Sequence, residues 1–310
     1  MSIFFSTLYI VVAVVFAPVF IKDVLRYSKN PTVKLLSISA VSSLIISFLG
    51  ALGLVYILIT RSGNSIFYRD SIYTFLHFQY NGFFTLAVFA VLFQHLANKG
   101  FAQTKSSRHF ALFLCLSIPP ALFLSLLWHN STLFYMLAGI GALLIIACLF
   151  YFFHFVRSIS VGQLFSSPVA GTLWLFAIFS FGLKMLLNVG TIFPVLGNAV
   201  YGNRPIIIGF LHLVFLGFLS FYLLANLLEK DLFVKTRSRI VLSFHLFSFG
   251  IFANEVLLMI QGLGIFFRTN NEIYKWLLWV TSILLFIGAV SILASRLAAN
   301  KKATDNSVAS

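Results

Sequence analysis

The chain has 310 residues, 60% of them hydrophobic and only 9% charged, with a formal net charge of +14 and a mean hydropathy of +1.02. An ordinary soluble domain carries about a quarter charged residues, so a water-soluble globular protein is excluded and a polytopic membrane protein is expected. The basic residues fall mostly in short breaks between apolar runs, where they orient spans, so the lipid bilayer is the expected partner and nucleic acid is not.

Taken in order, the apolar runs predict nine spans, over 3–21, 35–60, 72–98, 110–128, 133–156, 169–193, 206–228, 240–266 and 274–295. The expected fold is an all-α, polytopic membrane helix bundle of about nine transmembrane helices. It occupies 1–296 as one transmembrane domain, and the polar stretch 297–310 is expected to be a disordered cytoplasmic tail. The first run starts at Ile3 with no basic residue before it and ends in Lys22 and Arg26, so it reads as a retained span rather than a cleaved leader.

Charge sets the expected orientation. Breaks 22–34, 99–109, 157–168 and 229–239, with the tail, hold 15 Lys and Arg; the alternate breaks hold 5, and Lys184 lies inside span six. The positive-inside bias therefore puts the N-terminus outside and the tail in the cytoplasm, which an odd number of crossings also requires. The expected location is the inner (cytoplasmic) cell membrane, multi-pass. Cys115 and Cys148 lie within apolar runs, which supports neither a disulfide framework nor a cysteine metal motif. Pro119 and Pro120 fall inside span four and are expected to kink it, freeing carbonyls that neighbours or water must satisfy.

Ionisable residues placed in lipid are costly, so those inside spans are the first candidates for function. Span three carries His77 and His95, span five His154, span six Lys184, span seven His212, and span eight His245 and Glu255. Counting from the outer ends at about 1.5 Å per residue puts His77 and His212 at nearly one depth. Lys184 and Glu255 come deeper and read as an intramembrane ion pair, while His95, His154 and His245 form an inner polar group. Tyr73, His77, Tyr80, Asn81 and Thr85 recur at helical spacing, so span three carries a polar stripe inside "YTFLHFQYNGFF".

A short pattern repeats. His77 and Gly82, His212 and Gly217, and His245 and Gly250 are each five residues apart. Arg69 precedes His77, and Arg204 precedes His212, by eight residues in each case. One reading is a haem site: two imidazoles as axial ligands, glycines giving room to a flat macrocycle, and arginines pairing with its propionates. His77 and His212 would be the haem or metal ligands, Arg69 and Arg204 the propionate partners, with Gly82 and Gly217 beside them. Asn81 and Tyr80 would orient the imidazole. The plain alternative makes both histidines hydrogen-bond donors within a tight bundle.

"LHFQYNGFF" and "NRPIIIGFLHLVFLGFLS" resemble helices of the heme-copper oxidase large-subunit superfamily, including its NnrS-like members and related bacterial membrane proteins. The resemblance covers mainly spans three, six and seven and implies haem-ligand roles for His77 and His212, with redox sensing or electron transfer and a redox partner protein. The chain departs from that pattern in having no His-His pair, no His-x-His and no His-x-x-x-Tyr, so the copper ligands of the oxidases are missing. Two other classes stay open. One is an ion- or proton-coupled transporter or channel using Lys184, Glu255 and the intramembrane histidines. The other is a structural membrane protein with no cofactor. Hydrolases fit poorly, since neither a serine-nucleophile motif nor His-Glu-x-x-His occurs.

Overall fold

The computed structural model describes residues 2–200, 203–230, 238–267, 269 and 271–308. Among these there is no strand, and nine helices are long and apolar enough to cross a membrane: Phe4–Tyr27, Pro31–Thr60, Ser65–Asn98, Lys105–Ser125, Thr132–Arg157, Pro168–Gly190, Arg204–Glu229, Ile240–Gly264 and Ile273–Leu297. The all-α, nine-span reading is therefore correct, and each span is numbered below in that order. Residues 231–237, Arg268 and the final pair 309–310, which enter the loop-charge and tail expectations, lie outside the described residues.

Local signals explain most of the boundaries. Span two opens on Pro31, with Asn30 capping it: the Asn30 Oδ1 accepts from Thr32 N at 2.9 Å and Val33 N at 3.2 Å. Span three starts at Ser65 rather than at 72, because Asn64 caps it by accepting from Phe67 N at 3.0 Å. The polar turn that follows is helical although it is not apolar. Thr104 caps span four through Ser107 N at 3.1 Å. The last helix runs on from Ile273 to Val308, through most of the polar stretch assigned to a disordered tail.

The chain forms two compact units. The first comprises residues 1–159 with 185–198, and the second 160–184 with 199–310. In the first unit, span two packs along span three, and spans four and five pair closely. Phe89, Phe93, Phe110, Phe152 and Phe155 fill the space between spans three, four and five; the Phe93 and Phe155 rings stack at 5.0 Å. In the second unit, span eight packs on spans seven and nine. Gly288 lets spans eight and nine touch, since a Cβ there would lie 2.8 Å from the Phe247 Cα. Large apolar side chains such as Leu143, Phe179 and Phe286 are more than two-thirds exposed, which suits hydrocarbon and not water.

Candidate functional site

Both units contain the same backbone device. In span three the α-helix gives way to a π-helical segment, His77–Phe84, and in span seven to another, Leu213–Ser220, beginning just after His212. Such wide turns are rare and gather at functional positions. Each ends with a hydroxyl donating to a carbonyl of the wide turn: Thr85 Oγ1 donates to Tyr80 O at 2.7 Å, and Ser220 Oγ donates to Phe215 O at 2.8 Å. Arg69, His77, Gly82 and Thr85 correspond to Arg204, His212, Gly217 and Ser220 at one constant offset in numbering. The preceding spans match too, with Pro31 and Ser43 in one answering Pro168 and Ser180 in the other. Spans two to five and six to nine thus carry one parallel pattern twice.

The glycines serve helix packing. A Cβ on Gly82 would lie 2.5 Å from Ser43 Cβ, and one on Gly217 would lie 2.7 Å from Ser180 Oγ. Their missing side chains admit a neighbouring span, so the close approach at these two glycines is made by Ser43 and Ser180. The third His–Gly pair has a different setting. Gly250 packs on Leu285 of span nine, and His245 is exposed with Nδ1 2.7 Å from Val241 O of its own helix.

The two matched histidines differ in what surrounds them. His77 is 4% exposed, and both ring nitrogens are engaged. Nε2 donates to Ile118 O at 2.8 Å, and since a carbonyl can only accept, the proton is on Nε2. Nδ1 is then a lone pair and accepts from Asn81 Nδ2 at 3.0 Å. Ile118 O is available because of the 3-10 turn that follows the two prolines. Beyond Pro119 and Pro120 span four tightens to a 3-10 turn over Leu122–Ser125, and Leu122 N turns to Pro119 O instead of Ile118 O.

The constant offset that relates the histidines places Asn254 and Glu255 where the first unit has Pro119 and Pro120. Both reach His212. Asn254 Nδ2 is 2.7 Å from His212 Nδ1, and Glu255 Oε1 is 3.7 Å from the same nitrogen. Thr281 of span nine completes the group, with Oγ1 3.3 Å from Asn254 Oδ1 and 2.9 Å from Leu278 O. The His212 side chain is 35% exposed, and its Nε2 meets no partner among the described residues. Glu255 Oε1 is buried and has no hydrogen bond among them.

Other expected residues fall elsewhere. Glu255 takes His212, not Lys184, as its charged neighbour; Lys184 is buried in span six. Tyr80 stacks on Phe84 at 6.3 Å, and Asn81 bonds His77 Nδ1. Arg69 lies over the Trp128 ring at 5.3 Å, while Arg204 is exposed at the head of span seven. His154 is exposed and turned to its own Phe150 O at 2.9 Å, and His95 is half-buried near the end of span three. His129, just beyond span four, bonds Asp70 at 2.9 Å. Among the described residues no three His, Cys, Asp or Glu side chains gather to hold a metal ion by themselves. Asn254 was missed because a lone amide in an apolar run gives no spacing signal; its place opposite the proline pair could have found it. Compared with known proteins, the chain matches no family model, no curated protein and no solved structure.

Proposed function

We propose that this multi-pass membrane protein holds a haem or a transition-metal ion on His212 and serves redox sensing or electron transfer. One observation carries the reading: the imidazole is fixed through Nδ1 by the buried Asn254 while Nε2 meets no partner among the described residues. That is the arrangement of ligating histidines, whose second nitrogen is normally anchored by a carbonyl or carboxylate.

Counting protons supports it. The Thr281 hydroxyl has one proton, and Leu278 O at 2.9 Å is its nearer acceptor. Oγ1 is then an acceptor, so Asn254 presents its amide N–H to Thr281 and its oxygen to His212. The two ends of an amide are nearly isosteric, and this orientation gives both ends of the Asn254 amide a partner. The ring proton accordingly sits on Nδ1, facing both Asn254 and Glu255, and Nε2 is a lone pair suited to a metal. His77 lacks this freedom, because ligation there would break two buried hydrogen bonds. The proposal therefore rests on His212 alone. When bound, a haem or redox metal supplies one-electron chemistry; this chain supplies an oriented donor and a nearby carboxyl.

The same proposal takes the N-terminus as outside, in the inner membrane, with His212 in the outer half, on the strength of the basic residues in alternate breaks. Separate transport through a Lys184–Glu255 pair has less support, since Glu255 adjoins His212. The test is the absorption spectrum and metal content of purified protein, as isolated and after adding hemin or Cu2+. A Soret band or one bound metal, lost in His212→Ala and kept in His77→Gln, is the expected result. Wild-type protein that takes up neither would overturn the proposal.

A further inference from the structure

We infer that the edge where span four begins and span five ends binds an anionic phospholipid whose headgroup carries hydroxyls, as phosphatidylglycerol does. The site lies within the first unit and does not involve His212. Charge is the starting point. No Asp or Glu occurs between Asp70 and Glu229, so the hairpin of spans four and five holds basic side chains and no acid. Lys105 opens span four and Arg157 closes span five. Both are exposed, and no carboxylate pairs with either among the described residues.

Ring contacts fix how the two spans meet at this edge. The His109 ring stacks on Tyr151 at 4.9 Å, and Phe113 stacks on the same tyrosine at 5.5 Å. The spans run antiparallel, since Gly141 meets Ala121 while the Phe110 and Phe155 rings lie 5.6 Å apart. Lys105 is one turn from His109 on span four. On span five, His154 is one turn from Tyr151 and Arg157 one turn from His154. The four side chains therefore stand at one end of the pair, where an apolar span gives way to headgroups. Exposed Phe150, Phe153 and Leu116 continue from that end along the spans and suit acyl chains, which favours a lipid over a free anion.

The two histidines select the headgroup. His109 Nδ1 is 2.8 Å from Lys105 O, and His154 Nδ1 is 2.9 Å from Phe150 O. A carbonyl only accepts, so in each neutral ring the proton is on Nδ1 and Nε2 is a lone pair. Neither Nε2 has a partner among the described residues. A phosphodiester alone brings only acceptors, whereas a glycerol headgroup adds two hydroxyl donors. The phosphodiester then pairs with Lys105 and Arg157, and the hydroxyls donate to His109 and His154. The Arg157 guanidinium is already held 4.0 Å over the Phe153 ring, so it loses little freedom on pairing.

The experiment measures, by native mass spectrometry, the lipid retained by detergent-solubilised full-length protein. Phosphatidylglycerol, phosphatidylmethanol (the same charge without hydroxyls) and phosphatidylcholine are supplied at equal concentration, and retention is expected in that order. Lys105→Gln combined with Arg157→Gln should weaken phosphatidylglycerol binding by about fivefold per residue, as one basic side chain at an anionic surface contributes. Lys275→Gln, at a cation already paired with Glu272 at 2.7 Å, should change nothing. His109→Phe combined with His154→Phe keeps the stacked rings and should bring phosphatidylglycerol down to the level of phosphatidylmethanol. Equal retention of all three lipids, or a double glutamine variant that binds like wild type, would overturn the inference. Wild type that holds phosphatidylmethanol as well as phosphatidylglycerol would overturn the role of the histidines. Displacement of the lipid by inorganic phosphate would overturn the choice of a lipid.

Discussion

His77 gives its Nε2 proton to the carbonyl of Ile118 at 2.8 Å, joining the widest turn of span three to the kink of span four. Neither feature is satisfied alone. The 3-10 turn after the prolines leaves Ile118 O outside the helical ladder, and the imidazole N–H bonds it there. His77→Ala should leave a buried carbonyl unpartnered, at a cost of about 1–3 kcal/mol, in addition to the lost packing. Thermal unfolding in detergent should show the loss. His212→Ala, at a half-exposed ring, should cost clearly less, and equal destabilisation would contradict the division of roles between the two histidines.

The same kink is seated in span five. A Cβ added to Gly141 would lie 2.8 Å from both Ala121 N and the Pro120 carbonyl carbon, which are backbone atoms and cannot rotate away. Gly141→Ala should therefore destabilise by roughly 1–3 kcal/mol despite its better helix propensity. Gly139, with open space around it, is the internal control. Its alanine variant should unfold at or above the wild-type temperature.

Nine spans were legible because each one is a long apolar run bounded by charged, polar or turn-forming residues. The histidine pair was legible through its spacing to arginine and glycine. What the sequence could not show is how each ring is used. Asn81 is one turn from His77 and could be read as its neighbour, whereas Asn254 meets His212 from another helix. The glycines were assigned to a ligand because a small residue signals close approach without naming what approaches. In the structure Ser43 and Ser180 do so. Likewise the Lys184–Glu255 pairing followed from depth alone, and depth does not fix the face of a helix. The π segments have no sequence signature in an apolar run, so the shared device of the two units emerges only in the backbone.

Orientation is open to a direct measurement. With 15 basic residues in one set of breaks and 5 in the other, a reporter that works only in the cytoplasm should be active when fused after Ser310. Fused after Ser62, between spans two and three, it should be silent. The reverse pattern would place His212 near the cytoplasmic side and remove the outer-half site from the proposal.

Asn254 offers the sharpest test of the ligand site, because its two polar ends predict opposite outcomes. It is buried, and its bonds run to His212 and Thr281 across three spans. Asn254→Leu fills the same volume and removes both bonds, so stability should fall by about 0.5–1.5 kcal/mol per bond lost. Metal or haem affinity at His212 should drop further, by about 10–100-fold, because the ring loses its orientation. Asn254→Asp separates the tautomers. An ionised carboxylate only accepts, so it can hold an Nδ1–H and keep Nε2 free, while Thr281 rotates to donate to it. If the oxygen of Asn254 faces the ring, the aspartate variant should keep most of the affinity that the leucine variant loses. Equal loss in both variants would mean that the amide N–H faces Nδ1, placing the proton on Nε2 and closing the nitrogen on which the proposal depends.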